Sequence, residues 1–455
     1  MTLLIADIND ACITLISKNG TLYNEPGYAL LDDVTLSTGS AAYRMSRLRP
    51  RHINAQFWSG LSVDSLPDTR FRHLSAADLV SRQLEQMWQA APADADRVVI
   101  AVPAYMGAEQ LGLLLGICNE LKLPVAALVD AAVAATRREY VNARPVHIDF
   151  SLHTCLLTRM SQAENARVEK AAMVEDAGLV ALHDTWIRTV SELFVRQSRF
   201  DPLHTADTEQ QLLEHLPGWL RVATGGGTVV ADLEAAGTTH SAEIEALALV
   251  AAAAPHYQRI ISQLRTLVRA DETPALQLSD RAAQMPGFAD MLKARVGGEV
   301  FLLEPGATAR GLLGRCRDIT VGDGPVSLIR QLPWDQAAVA FELAADNDGG
   351  GRPSHVLYDN TAYLLDSEVL NFGTRALPGE RWVGLPDSMP GISRKHCAMK
   401  IDGGQCVVQD FSRYGTFLNG HRIDGSAVLQ VGDLLRIGTP GFELRMITTG
   451  DARGT

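Results

Sequence analysis

The sequence lacks cysteines spaced as a disulfide framework or a zinc site would need. Its six cysteines are scattered through 455 residues, with no Cys-x-x-Cys pair among them: Cys12, Cys118, Cys155, Cys316, Cys397 and Cys406. Such spacing is typical of buried thiols in a reducing compartment. The sequence therefore predicts a cytoplasmic protein.

Long apolar runs and a basic N-terminus are also missing. No apolar run reaches the roughly 18 residues of a transmembrane helix. The first ten residues carry acids rather than the basic region of a signal peptide. The formal net charge of −12 argues against nucleic-acid binding, because phosphate contacts need clustered Lys and Arg. We expect neither membrane insertion nor a nucleic-acid partner.

What the sequence does contain changes in character near residue 325. Before that point, short apolar segments typical of strands alternate with helical patterns. The strand segments are 3–8, 98–102, 125–129 and 146–157, and the helical segments are 75–90, 108–121, 185–199 and 242–270. This alternation predicts an α/β domain over residues 1–325.

The last hundred residues have a different pattern. After residue 354, short strands alternate with Gly, Asp and Pro turns, which predicts an all-β sandwich over 354–449. The polar, glycine-rich segment 346–353 is typical of a flexible connection. We therefore assign 326–353 as a linker between the two domains.

Two motifs in the sandwich combine hydroxyl and guanidinium groups. The first, Gly-Ile-Ser-Arg-Lys-His at 391–396, contains Ser393 and Arg394, and the second, Asp-Phe-Ser-Arg-Tyr-Gly-Thr at 410–416, contains Ser412 and Arg413. Arg375 is a further cation upstream. Phosphate carries nearly two negative charges and three strong acceptor oxygens, which suits convergent Arg and Ser donors. These residues predict a phosphate-binding edge on the sandwich.

The order of these motifs resembles the forkhead-associated family, a β-sandwich that binds phosphothreonine. The family pattern is Gly-Arg, Ser-x-x-His, Ser-x-Asn-Gly-Thr and a later Gly-Asp, and this chain has matching motifs at 393–396, 412–416 and 432–433. The resemblance implies phosphate contacts from Arg375, Ser393, Arg394 and Arg413, with His396 in a structural role. It implies as partners a phosphothreonine-containing protein and the Ser/Thr kinase that phosphorylates it.

Two departures from that family affect peptide recognition. Gly373-Thr374-Arg375 replaces the Gly-Arg pair, and Tyr414 stands where the family has the asparagine that holds the ligand main chain. A sandwich that keeps its folding motifs but binds an unmodified protein surface therefore stays open as an alternative.

The first domain resembles the actin-like ATPases of the heat-shock chaperone branch, which have a duplicated ribonuclease H-like fold. The resemblance is carried by Val-Pro-Ala-Tyr at 102–105, Asp-Ala-Ala-Val-Ala-Ala at 130–135 and Glu-Pro-Gly-Ala-Thr-Ala-Arg-Gly at 304–311. It implies that Asp7, Asp149 and Thr154 belong to two phosphate loops and that Asp130 replaces a family glutamate. ATP or ADP would be the cofactor, with Mg²⁺ held near Asp7 and Asp149.

The glycines that let main-chain N–H groups approach a phosphate are missing from these loops. The first loop contains Asn9 and Asp10, the second contains Ser, Leu and His at 151–153, and the adenosine loop is Ser-Asp-Arg at 279–281. These side chains predict obstruction or repulsion of ATP, which Arg281 would partly offset. ATP turnover, nucleotide binding without turnover and a nucleotide-free scaffold stay open.

The leading hypothesis from the sequence is a phosphothreonine-dependent adaptor with a pseudo-ATPase or nucleotide-sensing actin-like domain. The alternative is an active ATPase that its C-terminal domain localises. The first hypothesis predicts no enzymatic activity, and the second predicts Mg²⁺-dependent turnover.

Overall fold

A computed structural model describes residues 2–32, 36–269, 272–319, 326–340, 352–358, 361–375, 379–386, 391–419, 421–438 and 441–447. The chain divides into two compact units, Met1–Phe341 and Glu342–Thr455. Within the described ranges, no helix combines the length and apolar composition needed to cross a membrane.

The first unit mixes strands and helices. Its strands are β1 Thr2–Asn9, β2 Cys12–Ser17, β3 Gly20–Glu25, β4 Ala29–Leu31, β5 Leu36–Thr38, β6 Ile53–Asn54, β7 Ala95–Val102, β8 Val125–Asp130, β9 Tyr140–Val141, β10 Arg144–Phe150, β11 Thr154–Gln162, β12 Asn165–Glu175, β13 Val229–Ala235, β14 Thr238–Ile244, β15 Pro274–Leu278, β16 Glu299–Leu302, β17 Leu328–Ile329, β18 Gln331–Pro333 and β19 Val339–Ala340. Its helices are α1 Ser40–Tyr43, α2 Ala76–Gln89, α3 Ala108–Glu120, α4 Ala131–Ala135, α5 Leu179–Ser198, α6 Ala206–Thr224, α7 Ala246–Arg265, α8 Asp280–Ala283, α9 Phe288–Val296 and α10 Ala307–Gly314.

Two six-stranded sheets in this unit share one order over five of their strands, β8-β7-β1-β2-β3 in the first and β16-β15-β10-β11-β12 in the second. The first sheet runs β17-β8-β7-β1-β2-β3 and the second runs β16-β15-β10-β11-β12-β18. In each, a leading strand pairs antiparallel with the next strand of the chain and parallel with a later strand that follows a helix: β1 with β2 and β7, and β10 with β11 and β15. The leading strands are buried over most of their length, as expected for strands covered on both faces.

The apolar residues of the first unit form connected cores. One face of the first sheet packs on α2 and α3, and the second sheet packs on α5 and α7. A further cluster joins residues of both sheets, including Ile5 from β1, Met160 from β11 and Leu312 from α10. Because this cluster draws on both halves, the two sheets belong to one folded body.

The strand predicted over 146–157 is in fact two strands, β10 and β11. The N–H of Ser151 donates to the carbonyl of Thr154 at 2.9 Å, which closes a tight turn between them. Ser151, Leu152 and His153 form this turn, which is the segment that the sequence also assigned to the second phosphate loop. The helix predicted over 242–270 is shorter: α7 begins at Ala246 and passes through Pro255 without interruption.

The first unit extends beyond the boundary predicted at residue 325. β17 pairs parallel with β8 of the first sheet, and β18 pairs antiparallel with β12 of the second. β19 pairs parallel with β9. Part of the predicted linker therefore belongs to the first unit, while residues 341–351 lie outside the described part of the chain.

The second unit is the all-β sandwich that the sequence predicted. Its strands are β20 His355–Tyr358, β21 Thr361–Leu364, β22 Leu370–Gly373, β23 Arg381–Gly384, β24 Cys397–Asp402, β25 Gln405–Asp410, β26 Thr416–Leu418, β27 His421–Arg422, β28 Ser426–Leu429, β29 Leu434–Ile437 and β30 Phe442–Ile447. One sheet runs β21-β20-β30-β29-β26-β27 and the other β23-β22-β24-β25-β28. Phe372, Met399, Val408 and Leu435 are among the fully buried residues of its core.

Candidate functional site

Three loops of the sandwich meet at one edge of the second unit. They follow β22, precede β24 and connect β25 to β26. The N–H of Arg375 donates to the carbonyl of Arg394 at 3.2 Å, and the N–H of Arg413 donates to Ser393 Oγ, also at 3.2 Å. The structure therefore brings together Arg375, Ser393, Arg394 and Arg413, the residues that the sequence assigned to phosphate binding.

Gly373 allows the first two loops to approach this closely. A Cβ added at Gly373 would lie 2.1 Å from the carbonyl oxygen of Arg394 and 2.9 Å from that of Ser393. Neither contact is with a side chain that could move aside. A glycine is therefore required at this position, two residues before Arg375.

His396 holds the second and third loops together. Its Nδ1 accepts from the N–H of Ser393 at 3.1 Å, and its Nε2 lies 3.2 Å from the carbonyl of Gly415. These partners require a neutral ring with the proton on Nε2. Burial lowers the pKa of His396, which favours that neutral form. The fully buried ring has a structural position, as the resemblance implied.

Asp410 and Ser412 fix the shape of the third loop. The Asp410 carboxylate accepts from the N–H of Ser412 at 2.9 Å and from Thr416 Oγ1 at 2.8 Å. Burial opposes ionisation of Asp410, but these hydrogen bonds outweigh it and its pKa is lowered. Ser412 Oγ accepts from the N–H of Gly415 at 2.7 Å. The negative charge of Asp410 is thus satisfied inside the loop.

The cations at this edge point to solvent without acidic partners. Arg375, Arg394 and Arg413 are exposed, and none forms an ion pair with another residue in the described ranges. Tyr414 is 57% exposed, and the Arg413 guanidinium lies 6.0 Å from the centre of its ring. Unpaired guanidinium groups beside a serine hydroxyl suit a doubly charged phosphate.

In the first unit, the turns after β1 and β10 contact each other directly. Asn9 Nδ2 donates to Asp149 Oδ2 at 3.0 Å and to the carbonyl of Phe150 at 3.1 Å. Asp10 Oδ1 accepts from the N–H of Leu152 at 2.7 Å. These turns are the two loops that the sequence assigned to nucleotide phosphates, and their polar groups form hydrogen bonds with one another.

Arg281 closes the same region from the start of α8. Its Nε and Nη2 donate to the two carboxylate oxygens of Asp149 at 3.1 and 2.7 Å. Burial opposes ionisation of Asp149, but the charge and hydrogen bonds of Arg281 outweigh it, and the pKa of Asp149 is lowered. For Asp7 burial outweighs the charge of Arg281, which acts in the opposite direction, and the pKa of Asp7 is raised to about 7. Burial likewise raises the pKa of Asp10 to about 6.

These residues do not fit Mg²⁺ with a nucleotide phosphate. The N–H of Leu152, a donor that a phosphate would need, is taken by Asp10, and both oxygens of Asp149 are taken by Arg281 and Asn9. Within the part of the chain that the structure describes, no group of His, Cys, Asp and Glu is arranged to hold a metal ion. Open space remains on either side of Arg281, in cavities of about 680 and 520 Å³.

The other two residues that the sequence predicted for the nucleotide site, Asp130 and Thr154, have local structural roles. Asp130 caps α4, accepting from the N–H groups of Ala132 and Val133 at 3.0 and 3.2 Å. Thr154 Oγ1 lies 2.8 Å from Ser151 Oγ across the turn. Neither is among the residues lining the two cavities beside Arg281. The structure thus brings Asp7 and Asp149 together around Arg281 but leaves Asp130 and Thr154 outside that group.

Sequence reasoning missed the role of Asn9 and the full role of Arg281. Both partner Asp149, from 140 and 132 residues away in the chain. The only sequence signals were that Asn9 stands where the first loop of the actin-like ATPases has glycine and that Arg281 ends a segment in which Ser279 and Asp280 replace two glycines of those proteins.

Comparison with known proteins bears on the second unit. A search of curated proteins found no match to the chain. The family model of the FHA (forkhead-associated) domain matches residues 379–438, which include the loops carrying Ser393, Arg394 and Arg413. The resemblance of the first unit to actin-like ATPases stays a prediction. The C-terminal part of this chain is therefore an FHA domain.

Proposed function

We propose that this protein is an adaptor whose FHA domain captures a phosphothreonine-containing partner, while its first unit is an actin-like pseudo-ATPase scaffold. A Ser/Thr kinase acting on that partner would control the interaction. The spacing of its six unpaired cysteines supports a cytoplasmic location for this protein.

The observation that carries the phosphothreonine assignment is the set of unpaired arginines around Ser393. Arg375, Arg394 and Arg413 belong to three different loops, yet the main-chain N–H groups of Arg375 and Arg413 donate hydrogen bonds that hold those loops together. Charge-assisted hydrogen bonds from guanidinium to phosphate are about twice as strong as neutral ones. An unmodified threonine offers no charge to these groups, so phosphorylation would decide binding.

The repeated strand order supports an actin-like, duplicated fold for the first unit. Asp7 and Asp149 lie near the ends of β1 and β10, which have corresponding positions in the two sheets. The resemblance places nucleotide phosphates between these two aspartates. Arg281 and Asn9 use that region instead, which favours a scaffold over an enzyme.

Phosphopeptide binding by the full-length protein tests the FHA assignment. The probe is a fluorescent pool of short peptides with a fixed central phosphothreonine and random flanks. Ser393→Ala combined with Arg394→Ala should abolish binding, because it removes a hydroxyl and a cation from the same loop. Lys400→Gln is the matched control, because Lys400 pairs with Asp402 at 2.7 Å, away from this edge. Equal binding of phosphorylated and unphosphorylated pools would overturn the assignment.

Thermal unfolding with Mg-ATP tests the alternative of an active ATPase. A ligand at a hundredfold excess over its Kd stabilises the native state by about 2.7 kcal/mol. Asp10 accepts the hydrogen bond of the Leu152 N–H, and Arg281 pairs with Asp149, so these groups are not free for a phosphate or its Mg²⁺. We therefore expect millimolar Mg-ATP to leave the unfolding temperature of the first unit unchanged. A clear upward shift, or Mg²⁺-dependent turnover that Asp149→Asn removes, would favour the enzyme.

A further inference from the structure

The larger cavity beside Arg281, of about 680 Å³, runs along strand β2 of the first unit. Cys12, Thr14 and Ile16 occupy alternate positions of β2, so their side chains share one face of the strand, and all three line the cavity. Small-molecule sites in proteins typically have volumes of about 300–1,000 Å³. We call this space the β2 cavity.

Asp7 borders the β2 cavity and has no partner of its own. It pairs with Thr14 in the register of β1 and β2, so both side chains lie on the same face of the sheet. Asp7 is only 8% exposed, yet its carboxyl group forms no hydrogen bond or ion pair in the described ranges. Burial of an unpaired carboxylate is costly, so Asp7 would be stabilised by a cation or a hydrogen-bond donor in the cavity.

His147 presents a second unsatisfied group from the other sheet. It lies on β10, is 4% exposed and lines the same cavity, and its Nε2 is buried without a hydrogen-bond partner. Burial lowers the pKa of His147, so the ring is neutral and one of its nitrogens can accept a hydrogen bond. Both sheets of the first unit therefore contribute a group that a bound ligand would satisfy.

Carboxylates outnumber cations around Asp7. Asp7, Asp149 and Asp280 all interact electrostatically with Arg281. The guanidinium of Arg281 donates its two hydrogen bonds to Asp149, and neither Asp7 nor Asp280 forms an ion pair in the part of the chain that the structure describes. Three ionised carboxylates against one guanidinium leave this end of the cavity with an excess of negative charge.

The other end of the β2 cavity has the opposite charge. Lys18 follows β2, lines the cavity and is exposed, and it forms no ion pair in the described ranges. Four residues of extended chain, roughly 13 Å, separate it from Thr14 beside Asp7. Arg310 also lines the cavity, but it pairs with Glu304. A ligand that spans the cavity would therefore meet acid at one end and Lys18 at the other.

We propose that the β2 cavity binds a small organic monocation, with a primary ammonium group on an apolar body. The ammonium charge would offset the excess of carboxylates, and its N–H groups would donate to Asp7 and His147. Ile16 and Leu313, which line the cavity, would contact the apolar body. A metal ion fits less well, because no group of His, Cys, Asp and Glu in the described ranges is arranged to hold one. This inference does not depend on the proposed phosphothreonine function.

Ligand-observed NMR titrations of the full-length protein test the proposal with three matched probes. They are hexylammonium, the uncharged hexanol and the doubly charged hexamethylenediamine. At pH 8, Asp7 with its pKa of about 7 is mostly ionised, while a primary amine with a pKa of about 10 keeps its charge. We expect hexylammonium to bind at least about tenfold more tightly than hexanol, a difference within reach of one hydrogen bond to a charged group. The diamine should bind more weakly than hexylammonium, because its second charge approaches Lys18.

Three variants and one control locate the site. Asp7→Asn and Asp280→Asn should each reduce the preference for hexylammonium over hexanol, while Lys18→Gln should raise the affinity for the diamine. Asp290→Asn is the matched control, because Asp290 is exposed on α9 and does not line the cavity. Circular dichroism and the unfolding temperature of each variant establish that it is folded.

Each outcome decides for or against the β2 cavity. Hexylammonium binding that weakens in Asp7→Asn and Asp280→Asn, but not in Asp290→Asn, would support the proposal. Equal binding of hexylammonium and hexanol, or no binding of hexylammonium at millimolar concentration, would overturn it. A preference that survives in both Asp7→Asn and Asp280→Asn would place the cation elsewhere. Displacement of hexylammonium by potassium or magnesium chloride, but not by an equal ionic strength of a tetraalkylammonium salt, would replace the organic cation with a metal ion.

Discussion

Replacement of Arg281 tests how the cleft of the first unit is held closed. Arg281→Gln keeps a polar side chain but removes the cation that pairs with Asp149. The two side chains are 19% and 9% exposed, so Asp149 would be left as a buried carboxylate without its main partner. Breaking a buried ion pair from one side typically costs about 3–5 kcal/mol. Because Arg281 keeps some exposure, we expect a loss near 3 kcal/mol.

Replacement of the other partner, Asp149→Asn, should lower the free energy of unfolding by a smaller amount. The carboxylates of Asp7 and Asp280 also interact with Arg281, so its charge keeps compensation when Asp149 is neutralised. We expect a loss of about 1–2 kcal/mol, typical of a disturbed polar network. The double variant removes both charges of the pair. Its loss should fall short of the sum of the single losses by about 2 kcal/mol, within the range found for residues in contact.

Urea unfolding of the full-length chain, followed by tryptophan fluorescence, measures these losses. Trp58 and Trp186 are fully buried in the first unit and report its transition. Arg310→Gln is the matched control, because Arg310 pairs with Glu304 where the two side chains are 56% and 45% exposed. Such an exposed pair contributes at most about 1 kcal/mol. If the slope of the unfolding free energy against urea concentration is the same in the variants and the wild type, only the stability has changed.

Additive losses would refute this reasoning. They would mean that Arg281 and Asp149 act independently despite their two hydrogen bonds. An Arg281→Gln variant with unchanged stability would equally contradict this reasoning, because it would show that Asp149 does not need a cation in the folded state. Either result would reopen the cleft as a place for an external ligand.

Two other predictions follow from burial and from close packing. Burial raises the pKa of Asp7 to about 7, so the folded state holds a proton that the unfolded chain releases above about pH 4. The contribution of Asp7 to the free energy of unfolding of the first unit should therefore rise as pH falls from 8 to 5, and the difference in that free energy between the wild type and Asp7→Asn should change in the same direction in urea titrations at each pH. A pH dependence unaltered by Asp7→Asn would contradict the assignment. Gly373→Ala places a Cβ 2.1 Å from the Arg394 carbonyl oxygen, so it should destabilise the second unit by about 1–3 kcal/mol and weaken phosphopeptide binding. Gly384→Ala is the control, because Gly384 lies on the paired strand and a Cβ added there would have no atom within 4 Å; this variant should be tolerated. Similar unfolding midpoints for the two alanine variants would show that the loops can separate without loss.

The FHA domain could be predicted from sequence because its informative residues are close together in the chain. Ser393 contacts His396, and Asp410 contacts Ser412 and Thr416, so short motifs carry most of the loop geometry. The approach of Gly373 to Arg394 is different. It joins the end of β22 to the loop before β24, and its physical reason is visible only when the missing side chain is placed in three dimensions.

The first unit was predictable in its strand and helix types but not in the chemistry of its cleft. The apolar segments at 98–102 and 125–129 correspond to parts of β7 and β8, because buried parallel strands have continuous apolar runs. The partners of Asp149 could not be found this way. Asn9 and Arg281 reach it from distant turns, and no local pattern records which polar side chains will meet. The short strands β17 and β18 were missed because two or three residues carry no periodicity.

The position of β17, β18 and β19 affects how the protein is made. These strands complete the edges of β8, β12 and β9, yet they are the last described part of the first unit to be synthesised. Unpaired strand edges promote aggregation, and domains emerge from the ribosome N-terminal end first. The nascent chain therefore cannot complete both six-stranded sheets until residue 333 has left the exit tunnel, when much of the FHA domain is still being translated. A protein fragment ending at residue 325 would permanently resemble that unfinished state.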